Sequence, residues 1–118
     1  MPWEYSQRSG QLRFNGENVA TAYSGTGAGR NNPDMEAHSN VGPIPRGQYR
    51  IGFARDTATY GPHVMSLAPV GNTGRGRTAF LVHGDNTRHD APQGCIILPR
   101  NARNSMSSSH DTTLNVVE

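Results

Sequence analysis

Two residues of this 118-residue chain stand where acyl-transfer chemistry could be done: His83 and the single cysteine, Cys95. His83 closes an apolar run, Ala79-Phe80-Leu81-Val82. Cys95 follows Gly94 and opens another, Ile96-Ile97-Leu98. The segment between them, residues 84–94, is polar: Gly-Asp-Asn-Thr-Arg-His-Asp-Ala-Pro-Gln-Gly. If the two apolar runs are neighbouring strands, the imidazole and the sulfur meet at one end of a sheet. A thiol attacks as its thiolate, and an adjacent imidazole both removes the proton and stabilises the anion. Gly94 leaves room for a substrate backbone, and N–H groups around Gly94 and Cys95 can face a developing oxyanion. Asp85 is placed to orient His83.

Other chemistries fit these residues less well. A lone cysteine is ordinarily a small inert core residue; a polar glycine-flanked loop between two apolar strands is what sets this one apart. The spacing His83–His89–Cys95 matches no standard zinc pattern, and no second cysteine supports it. His83 with Asp90 could begin the ligand set of a zinc D-Ala-D-Ala peptidase. That set also needs a downstream Glu with a nearby His, and the only Glu after Glu36 is the terminal Glu118. Gly25-Thr-Gly-Ala-Gly29 is no Walker loop, which requires a lysine that this chain lacks. Cys95 with His110 is an alternative dyad, as in a cysteine amidase, although His110 lies in a serine-rich, surface-like segment. No metal and no cofactor is expected.

The elements that would position the pair are mostly strands. Trp3–Gln7 and Gln11–Phe14 read as short strands, Asn15-Gly16 as a hairpin turn, and Asn18–Ser24 as a further alternating segment. Residues 25–45 form a long irregular stretch of Gly, Asn and Pro, and loops of that length in small domains are usually functional or disordered. Gln48–Phe53, His63–Leu67, Thr78–Val82, Ile96–Leu98 and Thr113–Val117 read as strands, with Thr78–Val82 central. Asn101–Ser108 reads as one short helix. Many short strands with Gly/Pro turns predict a mostly β fold, a small single-domain β-sandwich or barrel-like structure over residues 1–118, with long loops and at most short helices.

Composition agrees. Hydrophobic residues make up 33% and aromatics 7%, while 14 Gly and 8 Pro imply abundant turns and exclude a helical bundle. The formal charge is +2, and all 11 basic residues are arginines scattered along the chain. No nucleic-acid footprint follows from that distribution. No apolar run approaches membrane-spanning length. Met1-Pro-Trp-Glu-Tyr-Ser6 offers no apolar leader, so synthesis in the cytoplasm without a signal peptide is expected. A single cysteine permits no intrachain disulfide.

Five blocks, in order and across essentially the whole chain, resemble a known family. They are Trp3-Glu-Tyr5 with Gly10 and Asn15-Gly16; Tyr23-Ser-Gly25 with Gly29-Arg-Asn-Asn-Pro33; Gly42-Pro-Ile-Pro45 with Gly47, Tyr49 and Ile51-Gly52; Gly76 to Asn86, containing His83-Gly-Asp85; and Gly94-Cys-Ile-Ile-Leu98. This pattern is similar to the small L,D-transpeptidase-like effectors of type VI secretion, relatives of the YkuD-type L,D-transpeptidases. The His-Gly-Asp and Gly-Cys-Ile-Ile blocks are its specific part. Pro92 and Gln93 depart from it: L,D-transpeptidases carry Ser or Thr and then His there, and the effector relatives keep the Ser.

The resemblance implies an L,D-transpeptidase-type fold with Cys95 and His83 catalytic, acting on peptidoglycan tetrapeptide stems as an L,D-carboxypeptidase or in transpeptidation or exchange. A substrate ending in carboxylate suggests an arginine clamp, for which Arg100 and Arg103 are the candidates. Tyr23 and Asn31, at the 25–45 loop, are candidate substrate contacts. The resemblance further implies an antibacterial effector delivered by the secretion apparatus into a rival's periplasm, with a cognate immunity protein as partner and neither nucleic acid nor membrane.

Overall fold

The computed structural model describes residues 2–25, 27–38, 41–57, 61–71, 80–84, 95–109 and 111–118. Among the described residues ten strands appear in chain order: β1 (Trp3–Ser6), β2 (Gln11–Phe14), β3 (Glu17–Thr21), β4 (Tyr23–Ser24), β5 (Gly47–Ile51), β6 (Arg55–Thr57), β7 (Gly61–Pro69), β8 (Phe80–His83), β9 (Ile96–Ile97) and β10 (Thr113–Val117). The described residues also form one α-helix, α1 (Arg100–Ser108), and two 3-10 turns at Gly27–Gly29 and Pro33–Met35. The expected mostly β, barrel-like architecture is what the chain forms.

The sheet order is β3-β2-β1-β10-β5-β7-β8-β9-β4, with β6 paired to the first half of β7. Its two outermost strands, β3 and β4, are separated in sequence by Ala22 alone. A sheet whose opposite edges are joined by one residue cannot lie flat, so it curls into a nearly closed barrel. Ala22 N–H donates to the Gly10 carbonyl (2.7 Å), which ties the seam to the β1–β2 turn. The hairpin before it is local: Asn15 (φ 54°) and Gly16 (φ 80°) both adopt the left-handed region that a two-residue turn of this kind requires. β10 is held on both sides, parallel to β1 and antiparallel to β5.

The barrel interior is one apolar cluster including Trp3, Tyr5, Leu12, Tyr49, Met65, Phe80, Val82, Ile96, Leu98 and Leu114. α1 closes over it with Ala102 and Met106, both 1% exposed. Trp3 stacks on Phe14 with centroids 4.4 Å apart, and its indole N–H donates to Ser109 Oγ at the end of α1 (3.0 Å). Burying side chains of this size contributes about 1.5–3 kcal/mol each. No helix among the described residues is long and apolar enough to cross a membrane.

Residues 25–45, where described, pack closely on themselves. An added Cβ at Gly29 would meet the Val41 carbonyl at 2.1 Å, and one at Gly42 the Met35 carbonyl at 1.7 Å, so backbone packs directly on backbone. The loop is anchored by Glu36, which is 4% exposed. Its Oε1 accepts from Gln7 Nε2 (2.9 Å), Arg46 Nε (2.9 Å) and Arg46 N–H (3.1 Å). Burial would raise the Glu36 carboxyl, but the bonds from Arg46 and Gln7 and the Arg46 charge outweigh it and bring the pKa down to about 2.

Candidate active site

β8 and β9 are parallel neighbours, with Val82 opposite Ile96 and His83 opposite Ile97. Side chains alternate along a strand, so Leu81 and His83 share one face, as do Cys95 and Ile97. Val82 and Ile96 point into the barrel core. The other face carries a separate cluster of Tyr23, Cys95 and Ile97, with Leu81 packed against it. Tyr23 belongs there because β4 pairs with β9 in the register Tyr23–Ile97. His83 and Cys95 thus lie on the same outward face of adjacent strands. The diagonal between them, one strand across and two residues along, is roughly 8 Å between Cα atoms from standard strand spacings.

The ladder continues one bond beyond the strands, Leu98 N–H donating to the His83 carbonyl (3.0 Å), which fixes the register at the histidine. His83 Nδ1 lies 2.7 Å from the Gly84 carbonyl oxygen. A carbonyl only accepts, so this bond puts the proton on Nδ1 and the ring lone pair on Nε2. His83 is 3% exposed and Cys95 5%. Asp85, Gly94, Pro92, Gln93 and His110 lie outside the described residues.

The two candidate clamp arginines occupy different settings. Arg100 is exposed, at the start of α1, and its Nε donates to Asn104 Oδ1 (3.1 Å). Arg103 is buried, 7% exposed. Its Nε donates to the Leu98 carbonyl (3.1 Å), and Nη1 to the carbonyls of Pro62 (2.7 Å) and His63 (3.3 Å). Burial draws its guanidinium pKa below the ordinary value, and the Arg100 charge adds to the effect. The geometry makes Arg103 a tie that holds α1 and the end of β9 to the start of β7.

Asn31 (φ 53°) brackets β4: its N–H donates to the Ser24 carbonyl (2.9 Å), and its Oδ1 accepts from Ser24 N–H (3.2 Å). Tyr23 carries on its ring the guanidinium of Arg30, whose Cζ lies 3.7 Å from the ring centroid. That position was not among the sequence candidates. The available signal was modest: Arg30 is the one arginine within residues 25–45. Its charge reaches inward to Tyr5, whose phenol is pushed well above its usual range by burial and drawn only partly back by Arg30.

A groove of about 410 Å³ runs along this face, lined by Thr21, Tyr23, Arg30, Ile97, Leu98 and Pro99. A cavity of about 450 Å³ lies elsewhere, between β5, β7 and α1, with Ile51, Ala68 and Met106 in its wall and Phe53, 97% exposed, at its rim. Neither His83 nor Cys95 lines this cavity or the groove, so size alone selects neither as the active site.

The family model described as the Tlde1 domain matches residues 18–117. The chain belongs to the Tlde1 domain family. Tlde1 domains are type VI secretion effectors of L,D-transpeptidase-like character, so the family expected from the His-Gly-Asp and Gly-Cys-Ile-Ile blocks is the family found. β1 and β2 precede the segment matched to the Tlde1 domain, yet they complete the same sheet. No curated protein and no solved structure matches the chain.

Proposed function

We propose that this Tlde1 domain is a cysteine enzyme acting on peptidoglycan tetrapeptide stems, with Cys95 as nucleophile and His83 as general base. The observation that carries this reading is the placement of both side chains on one outward face of the parallel β8–β9 pair. His83 Nε2, holding the lone pair, takes the thiol proton. The sulfur attacks the carbonyl between the third residue, a diamino acid, and the terminal D-Ala. His83 returns the proton to the leaving amine, the C–N bond breaks, D-Ala departs and a thioester remains. Water then cleaves the C–S bond, which is L,D-carboxypeptidase activity; an amine in place of water gives transpeptidation or exchange. Asp85 is the proposed orienting residue for the histidine, together with the Gly84 carbonyl, and Gly94 the proposed space for the oxyanion. Arg100 and Arg103 remain as proposed contributors of positive charge near the substrate carboxylate. Asn31 supports the cleft wall through Ser24.

As a type VI effector, the protein would meet this substrate in a target cell's periplasm, and the producing cell would carry an immunity protein against it. The test is mass spectrometry of tetrapeptide muropeptides incubated with the protein. Release of D-Ala by wild type, absent in Cys95→Ala and His83→Ala, is the expected result; equal release by Cys95→Ala rejects the mechanism.

Two observations favour a second reading. Cys95 is only 5% exposed, and Pro92-Gln93 replaces the usual Ser-containing motif. A non-catalytic peptidoglycan-binding module with a degenerate site would show slow alkylation of Cys95 at neutral pH and would retain wall fragments without changing their mass. A cysteine amidase using Cys95 and His110 predicts instead that His110→Ala abolishes turnover and His83→Ala does not.

A further inference from the structure

We propose that the cavity between β5, β7 and α1 is a carbohydrate-binding subsite that takes the muramyl sugar end of a peptidoglycan fragment, with Phe53 as its stacking platform. The inference rests on the function proposed above and adds to it a second point of attachment, separate from Cys95 and His83.

The first support is the side chain at the rim. Phe53 is 97% exposed, whereas the other exposed large hydrophobics, Val19, Val70 and Val117, lie between 37% and 41%. An aromatic ring left wholly in water beside an apolar cavity offers its face to a ligand. That face is electron-rich, and the C–H groups on the face of a sugar ring are weakly positive, so the two stack. The second support is the set of polar groups around the ring. The side chains of Arg50, Ser66 and Thr112 line the cavity, and none of the three has a hydrogen-bond or ionic partner among the described residues. Beneath them the floor is apolar, formed by buried Ile51 and Met106. Hydroxyl and N–H groups above an apolar floor suit a ligand with a polar edge and an apolar face.

The third support is charge. Among the described residues the lining carries one cation, Arg50, and one anion, Asp111. A neutral ligand rich in hydroxyls fits that balance better than an anion or a cation does. The fourth is reach. β5, β7, β8 and β9 are successive neighbours in the sheet. Gly52 N–H donates to the Ser66 carbonyl (2.8 Å), Ser66 stands opposite Leu81, and Leu81 packs against the cluster that holds Cys95. These four residues follow one another across the outward face. Three strand spacings amount to about 14 Å. In a stem peptide, three residues separate the attacked carbonyl from the sugar. They span about 10 Å when extended, and the lactyl ether that joins stem to sugar covers the rest. A stem lying across the strands from Cys95 delivers its sugar to Phe53.

Calorimetric titration of the Cys95→Ala protein with free tetrapeptide, and with the same tetrapeptide on its muramyl disaccharide, tests the subsite. The disaccharide form should bind about 10-fold more tightly, the equivalent of one good aromatic contact. Phe53→Ala, made at a fully exposed side chain, should bring the two ligands to equal affinity without lowering the unfolding midpoint. Equal affinity of both ligands for the protein carrying Phe53, an advantage that survives Phe53→Ala, or binding of neither ligand overturns the subsite. A second equivalent of free tetrapeptide that Phe53→Ala removes also overturns it, by giving the cavity to a second stem. D-Ala release by wild type is measured in parallel. Release from both ligands at equal kcat/KM removes the subsite and leaves the enzyme. Phe53-dependent binding of the disaccharide form without release keeps the subsite and removes the enzyme.

Discussion

The guanidinium of Arg103 lies so close behind Gly84 that a methyl group there would come within 2.9 Å of Arg103 Nη2. Gly84 is also the residue whose carbonyl accepts from His83 Nδ1. Arg103 cannot swing aside without breaking its bonds to Leu98, Pro62 and His63. Gly84→Ala should therefore cost about 1–3 kcal/mol and disturb the ring orientation of His83. Urea unfolding and the rate of Cys95 alkylation report the two effects separately. An unaltered midpoint with an unaltered alkylation rate would mean that the space is softer than the distances indicate.

Arg103 itself can be removed. Arg103→Met keeps much of the volume but leaves three buried or part-buried carbonyls without their donor, at an expected loss of about 2–4 kcal/mol. Arg103→Lys should recover only a fraction, because one ammonium cannot span carbonyls contributed by β7 and by the end of β9. The comparison of the two unfolding midpoints is the measurement, and near-equality of Arg103→Lys with wild type would contradict it.

Glu36 gives the fold an acid-sensitive anchor. Its carboxyl pKa falls from an ordinary 4.5 to about 2 on folding. The associated stability is complete above 4.5 and is lost as pH drops through that value toward 2. Arg46, with its side chain 43% exposed, is partly screened by water, so the contribution is about 1–3 kcal/mol. Glu36→Gln should remove that amount at neutral pH and flatten the stability profile between pH 5 and about 2. A mutant profile as steep as wild type would assign the acid sensitivity to other carboxylates.

Tyr5 offers a test with the opposite sign. Its ring is 0% exposed, and its hydroxyl has no hydrogen-bond partner among the described residues. Removing a buried, unsatisfied hydroxyl is neutral or favourable. Tyr5→Phe should leave the unfolding midpoint unchanged or raise it by the equivalent of about 1 kcal/mol. A fall of similar size would reveal a bond that the hydroxyl makes in solution.

Local signals made much of this fold legible in the sequence. Asn15-Gly16 announced its turn, and the apolar runs at Phe80–Val82 and Ile96–Leu98 became adjacent strands. The described part of Thr78–Val82, expected to be central, belongs to β8, an inner strand flanked by β7 and β9 and two places from both the middle strand β5 and the β4 edge. Asn18–Ser24, expected as one strand, is two, because the chain crosses the barrel seam at Ala22. β6 was missed, since Arg55–Thr57 is a polar, exposed strip paired to only one neighbour. At the candidate site, residue type and spacing singled out His83 and Cys95, and the strand register sets them on adjacent strands. Residue type could not separate a surface arginine from Arg103, because burial depends on which distant carbonyls converge. Arg30 escaped for a related reason: its partner, Tyr23, lies across a loop whose closure rests on Asn31 and Glu36, and loop closure has no period to read.

β10 has a consequence for how the molecule comes into being. Residues 113–117 fill the slot between β1 and β5, strands that lie more than forty positions apart in the chain. A nascent or truncated chain ending short of Thr113 would already hold His83 and Cys95, yet it would carry two raw sheet margins prone to sticking to other chains. Closing those two margins is therefore the structural role of β10, which joins the β1–β3 side of the sheet to the β5–β9 side.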